Sequence, residues 1–454
     1  MVQLSDAAAA PSATLRYPLL DSAHLTFATF AIFTVFAGNF WRNLIGWYGW
    51  AVIIVALLVI SAVWMARTNS FRLIRRLPVA LTGFAAYAVL STLWSNWRLE
   101  TLAGSALLFL TVLLALPLAI RLTWDELLVA FSRALRAIVG LSILFELWVS
   151  LVIRHPVLPV YIDWTTVDKA PLMLLWSRNL LFVDGKIQGI LGNSSMLAGV
   201  ALLALIAIGV QLAAGRTNKY TGSAWIVVII GTLVLTRSAT VTIAGVVVLA
   251  VLVVVLLRRR LATFRSRATF SIVIVIAAVV ALIAAASSWS RILALFGKSD
   301  DLTGRVEIWN NVIGLAVQRP AFGWGWLGYW PPWVKPLNDL NIRYGVVQLH
   351  AHDAWLDLWM QVGIVGLVIF ALLVLATTIR SVLAAVNPVW RGDRFEFRAV
   401  TLLPLLVMTM LLVQSITESR FLVEEGLLML CLLAIKLKLD PFVRDEPRIV
   451  TPAR

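Results

Sequence analysis

The sequence predicts an all-α, polytopic integral membrane bundle of about twelve transmembrane helices, with a large external loop that contains an amphipathic helix. Three observations predict it. Hydrophobic residues fill 61% of the 454 positions and charged residues only 13%, with a mean hydropathy of +0.91, a balance that excludes a soluble globular protein. The apolar runs reach the roughly 20-residue length of a bilayer crossing. They also lack the two-residue alternation of barrel strands, and only helices and closed barrels satisfy every backbone group in lipid.

Taken in order, the apolar windows fall near 24–40, 46–66, 78–96, 101–120, 127–153, 196–214, 222–236, 239–257, 270–290, 354–379, 398–416 and 424–437. An even count puts both termini on one side. Basic residues identify that side as cytoplasmic, because loops rich in Lys and Arg are retained there. Inside segments carry Arg67, Arg72, Arg75 and Arg76, then Arg216 and Lys219, Arg258 to Arg260, Arg380, Arg391 and Arg394, and Lys436 and Lys438, whereas the short outside turns carry Arg42, Arg98, Arg237 and Arg420 singly. The net charge of +15 is therefore topological and calls for no nucleic acid. Residues 1–23 read as a cytoplasmic disordered tail without a cleavable signal, residues 24–437 as one membrane domain, and 438–454 as a basic cytoplasmic tail. A single cysteine, Cys431, leaves no intrachain disulfide to brace a loop.

Two loops, about 154–194 and 291–353, are too long to be simple connectors, and both are expected outside. The second contains Ala321-Phe322-Gly323-Trp324-Gly325-Trp326-Leu327-Gly328-Tyr329-Trp330, expected to pack on the membrane surface. Ahead of it, Val306, Trp309, Val312, Ile313 and Ala316 recur at helical spacing before Pro320, predicting an interfacial amphipathic helix. Most other tryptophans, such as Trp41, Trp94, Trp97, Trp148 and Trp289, sit at span ends as an aromatic belt.

Three external elements carry groups suited to chemistry: the turn Thr236-Arg237-Ser238, the segment Thr303-Gly304-Arg305-Val306-Glu307-Ile308-Trp309, and His350-Ala351-His352-Asp353 just before a span. Guanidinium forks match phosphate oxygens, and imidazole is the side chain that exchanges protons near neutrality. Each has a plainer reading when taken alone. Arg237 can be a snorkelling interfacial residue, Arg305 can pair with Glu307 or with Asp300 and Asp301, and His352 can be a structural hydrogen-bonder. The adjacent pair Asp300-Asp301 rarely suffices to complete an oxygen cage for a cation.

The order of these elements resembles the O-antigen ligase and O-antigen polymerase family, bacterial membrane glycosyltransferases that use polyprenyl-pyrophosphate sugar donors. The resemblance runs from about Lys186 to Leu367: Lys186-Ile187-Gln188-Gly189 with Gly192-Asn193-Ser194, then Arg237, Gly304-Arg305 with Trp309, Pro320 with Gly323 and Gly325, and His352, Leu356, Gly363 and Gly366. Asp353 stands where the family more often has Asn, and Ser194-Ser195 replaces Pro-Asn. Thr417-Glu418-Ser419-Arg420 occupies the last outside turn, where the family often carries a carboxylate.

The resemblance implies glycan transfer from polyprenyl pyrophosphate to an acceptor hydroxyl on a glycan, lipid or protein, at the outer face of the bacterial cytoplasmic membrane. His352 would be the general base. Arg237, Arg305, His350, Asp353, Glu418 and Arg420 would bind substrates. It implies no cofactor, no metal, and inversion at the sugar. The ligase branch is preferred on the compact His350-x-His352-Asp353 loop, with repeat-unit polymerase as the alternative. From other classes, a lipid-linked oligosaccharide transporter would place charge near the bilayer midplane, and a membrane scaffold would use the Trp-rich loop for recognition.

Overall fold

The computed structural model describes residues 22–68, 70–162, 171–183, 185–287, 305–343, 346–391 and 394–442. Trp289, the Asp300-Asp301 doublet, Thr303, Gly304, most of the basic tail and all but the last two residues of the N-terminal tail lie outside them.

Every apolar window of the sequence falls on a helix: α1 (Ser22–Phe36), α2 (Gly38–Arg67), α3 (Val79–Leu90), α4 (Arg98–Arg121), α5 (Trp124–Trp148), α6 (Ser194–Ala213), α7 (Lys219–Thr236), α8 (Ala239–Arg260), α9 (Phe264–Ser287), α11 (Ala354–Val386), α12 (Leu402–Ser415) and α13 (Glu424–Leu439). A further helix among the described residues, α10 (Arg305–Ala316), stands in the large loop. Among the described residues, seven helices are long and apolar enough to cross a bilayer, and α1, α3 and α12 are shorter apolar helices. Two short antiparallel ribbons, β1 (Ile342–Arg343) with β2 (Val346–Val347) and β3 (Val389–Arg391) with β4 (Arg394–Glu396), are the named strands among the described residues. The chain is an all-α polytopic membrane protein.

Burial is uneven and locates the centre of the bundle. Every residue of α13 from Gly426 to Leu437 is buried, as is α12 from Leu402 to Leu411. In contrast, α8 buries only Val241, Ala244, Val248 and Val255, a single stripe, and leaves its other faces to lipid. Around α13 pack α4, α11 and α1, while α6 bridges α5, α7 and α12. Cys431 lies within buried α13, in keeping with its lack of a disulfide partner.

The large loop departs from expectation in two ways. Its helix buries Ile308, Val312, Leu315 and Ala316, whereas Val306 and Ile313 of the predicted stripe remain exposed. The reason is that the loop folds back over its own helix: Leu327, Trp330, Val334 and Leu337 join those four in a satellite core against Ala351 and Met360. The Trp-rich segment also enters the protein instead of lying on the membrane surface. Trp326 and Trp330 are each 1% exposed. The indole of Trp326 meets Phe84 edge to face at 5.2 Å and donates to the Gly104 carbonyl at 3.2 Å, and that of Trp330 donates to Asp357 at 2.9 Å.

A break in α11 makes this insertion possible. Gly363 has φ +62°, which interrupts the helix in a region that only glycine adopts at little cost. The loop supplies the hydrogen bonds the helix loses. Trp324 and Gly325 donate to the carbonyls of Met360 and Gln361 at 3.1 and 2.7 Å, and Ile364 and Val365 donate to those of Pro320 and Ala321 at 2.9 and 3.2 Å. Backbone groups so placed would otherwise be orphaned inside a membrane protein.

The loop between α5 and α6 is anchored similarly. One Glu146 oxygen accepts the N–H groups of Gln188 and Gly189 at 2.9 and 2.7 Å, and the other accepts the Ser177 hydroxyl at 2.9 Å. Asn193 then caps α6, its Oδ1 accepting from Ser195 and Met196, and Ser194 fills the first helical position, where proline is also accommodated.

Candidate active site

Two polar segments meet at one end of α13: the His350–Asp353 turn that leads into α11, and the Glu418–Glu425 connection between α12 and α13. The connection is a short 3-10 turn, Ser419–Leu422, folded tightly onto α13. The absence of a side chain at Gly426 permits this, since a Cβ there would overlap the Arg420 carbonyl. His352 has a left-handed φ of +53°. Its N–H donates to His350 Nδ1 at 3.2 Å, which brings the two rings to 3.9 Å between centroids.

Glu418 joins the pieces. One carboxylate oxygen accepts from Arg305, at the start of α10, at 3.1 Å, and the other lies 3.4 Å from His352 Nδ1. Gln348 fixes the opposite side of the ring. Its amide nitrogen donates to the Val346 carbonyl at 3.1 Å, leaving its oxygen to accept from His352 Nε2 at 3.2 Å. Nδ1 is therefore the nitrogen facing Glu418, and it is buried without a formed hydrogen bond.

Burial disfavours charge on Glu418, but His352, His350 and Arg305 outweigh it and hold its pKa at about 2. Burial pushes His350 down to about 3, with the neighbouring His352 adding to the effect, so His350 is neutral across the physiological range. Burial also opposes the Arg420 charge. The facing Tyr329, Glu425, Glu424 and Glu418 nevertheless raise its pKa above the ordinary guanidinium value. Arg420 donates to Glu424 and Glu425 at 3.1 and 3.2 Å, and Glu424 in turn accepts from Arg42 of α2 at 2.7 Å.

A cavity of about 130 Å³ opens beside this cluster, and Arg305, Arg42 and Glu424 are not among the residues that line it. His350, His352, Glu418, Arg420 and Glu425 form its polar wall, while Phe36, Met196, Val200, Leu203, Met410 and Leu411 form an apolar one. Such a division suits an amphiphile with a charged head. The ligating atoms of His350, His352 and Glu418 also lie within 4.8 Å of one another, a spacing compatible with a metal ion. The carboxylate of this trio is Glu418, from the turn between α12 and α13 that the sequence had already singled out.

Of the predicted site residues, His350, His352, Arg305, Glu418 and Arg420 come together. Asp353 is occupied in capping α11, its Oδ1 accepting from Trp355 and Leu356 at 2.9 and 2.8 Å, and it is not among the cavity-lining residues. Asn offers the same acceptor and caps equally well, which accounts for either residue at this position. Burial raises the Asp353 pKa, and the two N–H donors counter that rise. Arg237 occupies the left-handed cap of α7, is exposed and does not line the cavity, although Thr240 and Val241 a few residues on do.

Sequence reasoning missed Glu425, Glu424 and the Arg42 that pairs across the fold. Their only local signal was a pair of acids at the start of an apolar span, which the helix dipole also explains. Asp357 was missed too. It is fully buried in α11 and holds the loop through Trp330, Gln361 and the Ala351 N–H.

No curated protein matches the chain. Residues 224–371 match the family model described as O-antigen ligase, a segment that contains Arg237, Arg305, His350, His352 and Gly363 but neither the Lys186–Ser194 stretch nor Glu418 and Arg420. The match supports ligase- or polymerase-type chemistry on lipid-linked glycans in general, and it makes residues 224–371 similar to the O-antigen ligase family.

Proposed function

We propose that the chain transfers a glycan from polyprenyl pyrophosphate to an acceptor hydroxyl, by direct and inverting displacement, with His352 as general base. The observation that carries this reading is the buried Nδ1 of His352 beside Glu418. With Nε2–H held by Gln348, the Nδ1 lone pair takes the acceptor proton as the oxygen attacks the anomeric carbon. The imidazolium that forms then has Glu418 at 3.4 Å as counter-ion, so charge is stabilised only as it develops. The sugar–phosphate bond breaks, and the electron pair leaves on the pyrophosphate.

Arg305 and Arg420 supply fixed positive charge for that diphosphate, and Arg237 extends the donor site at the exposed turn. His350, neutral and against the His352 ring, would bind donor or acceptor. The apolar wall of the cavity suits the first prenyl units. A metal-free reaction is supported by the Arg305 guanidinium, which already holds one Glu418 oxygen and competes with a cation for that carboxylate.

On this reading residues 24–437 form the transferase domain, with both termini in the cytoplasm and the cavity opening at the outer face of a bacterial cytoplasmic membrane. The acceptor is a lipid- or protein-borne hydroxyl in a ligase, and another repeat unit in a polymerase. The test replaces His352 with Ala. Transfer should fall by about 10²–10⁴-fold while the purified protein still binds lipid-linked glycan. Transfer within about tenfold of wild type would overturn His352 as base. Mass spectrometry of the lipid-linked glycans that accumulate separates the acceptors: long chains mark a blocked ligase, single repeat units a blocked polymerase.

A further inference from the structure

The cavity beside His352 carries a second set of polar groups, uncharged and drawn from three helices. Ser195 stands in the first turn of α6, Thr240 in the first turn of α8 and Gln414 in the last turn of α12, and all three line the cavity. Among the described residues, no hydrogen bond engages the two hydroxyls or the Gln414 side-chain amide. Other helix hydroxyls of the bundle are satisfied internally. Those of Thr242, Thr377, Ser381 and Thr409 each donate to a carbonyl four residues back, the usual solution inside lipid. In the first turn of a helix Ser195 and Thr240 have no helical carbonyl behind them, so their hydroxyls are left to the cavity.

Gln414 is placed by two neighbours. Gly199, one turn beyond Ser195 on the same face of α6, gives the amide room, since a Cβ there would come within 2.9 Å of Gln414 Nε2. The Gln414 carbonyl accepts the Glu418 N–H at 2.9 Å, so the amide stands one turn from the carboxylate that faces His352. Sugars present hydroxyls that both donate and accept, and neutral amides and hydroxyls answer them in either sense, whereas guanidiniums only donate and carboxylates only accept. In the proposed reaction the first sugar of the donor lies between the arginines and His352, because its anomeric carbon is bonded to the diphosphate and attacked by the oxygen that His352 deprotonates. Its ring hydroxyls then meet the remaining polar lining, where Ser195, Thr240 and Gln414 offer groups with no protein partner among the described residues.

We infer that Ser195, Thr240 and Gln414 form a sugar-recognition subsite that reads the hydroxyls of the sugar bonded to the diphosphate. This assignment rests on the proposed transfer reaction and adds to it the residues that set donor specificity. The charged wall holds what every polyprenyl-pyrophosphate donor has in common, and the uncharged groups distinguish one sugar from another.

The test compares two ligands on the full-length protein in detergent: the glycan-bearing polyprenyl pyrophosphate isolated from source cells deleted for the protein, and bare polyprenyl pyrophosphate. Gln414→Leu and Thr240→Val remove polar atoms with little change in volume. A hydrogen bond to a neutral group is worth roughly two- to tenfold in affinity, so the doubly substituted protein should bind the glycan-bearing lipid about fivefold or more weakly. Its binding of the bare lipid should be unchanged. Ser195→Ala, at an exposed position, should give a smaller loss of the same kind without disturbing the fold. Equal losses for both lipids, or undiminished binding of the glycan-bearing one in all the substituted proteins, would overturn the subsite while leaving the transfer reaction standing. Wild-type protein that binds neither lipid would overturn the transfer reaction and the subsite with it.

Discussion

Replacing Gly363 with Ala tests how the large loop is fastened to the bundle. At φ +62° an L-residue costs roughly 1–2 kcal/mol. The new Cβ would also fall on the Ala321 carbonyl and the Phe322 nitrogen, which belong to backbone hydrogen-bonded to α11 and cannot swing aside. Overpacking of that kind typically costs about 1–3 kcal/mol, so the substitution should destabilise the protein by about 2–5 kcal/mol. Gly231→Ala is the control: nothing lies within 4 Å of its Cβ position, and alanine in a helix is favoured by up to about 1 kcal/mol. Denaturation of the two detergent-purified proteins, followed by tryptophan emission, gives the difference directly. Trp324 and Trp326 flank the joint and report on it. Should Gly363→Ala unfold at the same midpoint as Gly231→Ala, the backbone interlock between residues 320–325 and 360–365 would be refuted.

Two further outcomes follow from the charged groups. Arg42→Gln strips Glu424 of a partner in a setting where Arg42 is 7% exposed; removing one member of a buried pair costs about 3–5 kcal/mol, and Glu424→Gln in the same chain should restore part of the loss in a double-mutant cycle. His350 sets a pH dependence of stability. Its folded pKa, about 3, lies below its ordinary 6.5, so between those values the unfolded chain binds a proton that the folded chain refuses. Its contribution is complete above pH 6.5 and declines as the pH falls toward 3. His350→Asn should flatten that decline in midpoints measured across the window, and an unchanged slope would assign it elsewhere.

Hydropathy made the bundle legible because lipid imposes one rule on every span, and each apolar window proved to be a helix. The loop was harder to read. Val306 and Ile313 were as good candidates for burial as Ile308 and Leu315, and the choice between them was made by Leu327, Trp330 and Leu337, which return from farther along the chain. Tryptophans next to glycines resemble a membrane-surface segment in composition, yet Trp326 reaches the core because Gly363 breaks a helix nearly forty residues later. The cluster was legible in part: His352, Arg305 and Glu418 were named through order and resemblance, and the fold brings their side chains together. Long-range pairing was not. Neither Arg42 nor Glu424 carries a local mark of the other, since 382 positions separate them. Asp353 was misleading for a local reason, because a carboxylate beside a histidine reads as chemistry when its task is to cap the next helix.

The Arg42–Glu424 contact also bears on how the protein is made. A ribosome releases Arg42 ahead of Glu424 by 382 residues, so the guanidinium is without its counterpart while everything between them is made. The α1–α2 pair must therefore wait until α12 and α13 are threaded, and the bundle can seal only then. Chains cut short before α13 would keep an uncompensated charge at the seam, a feature that membrane quality control can recognise.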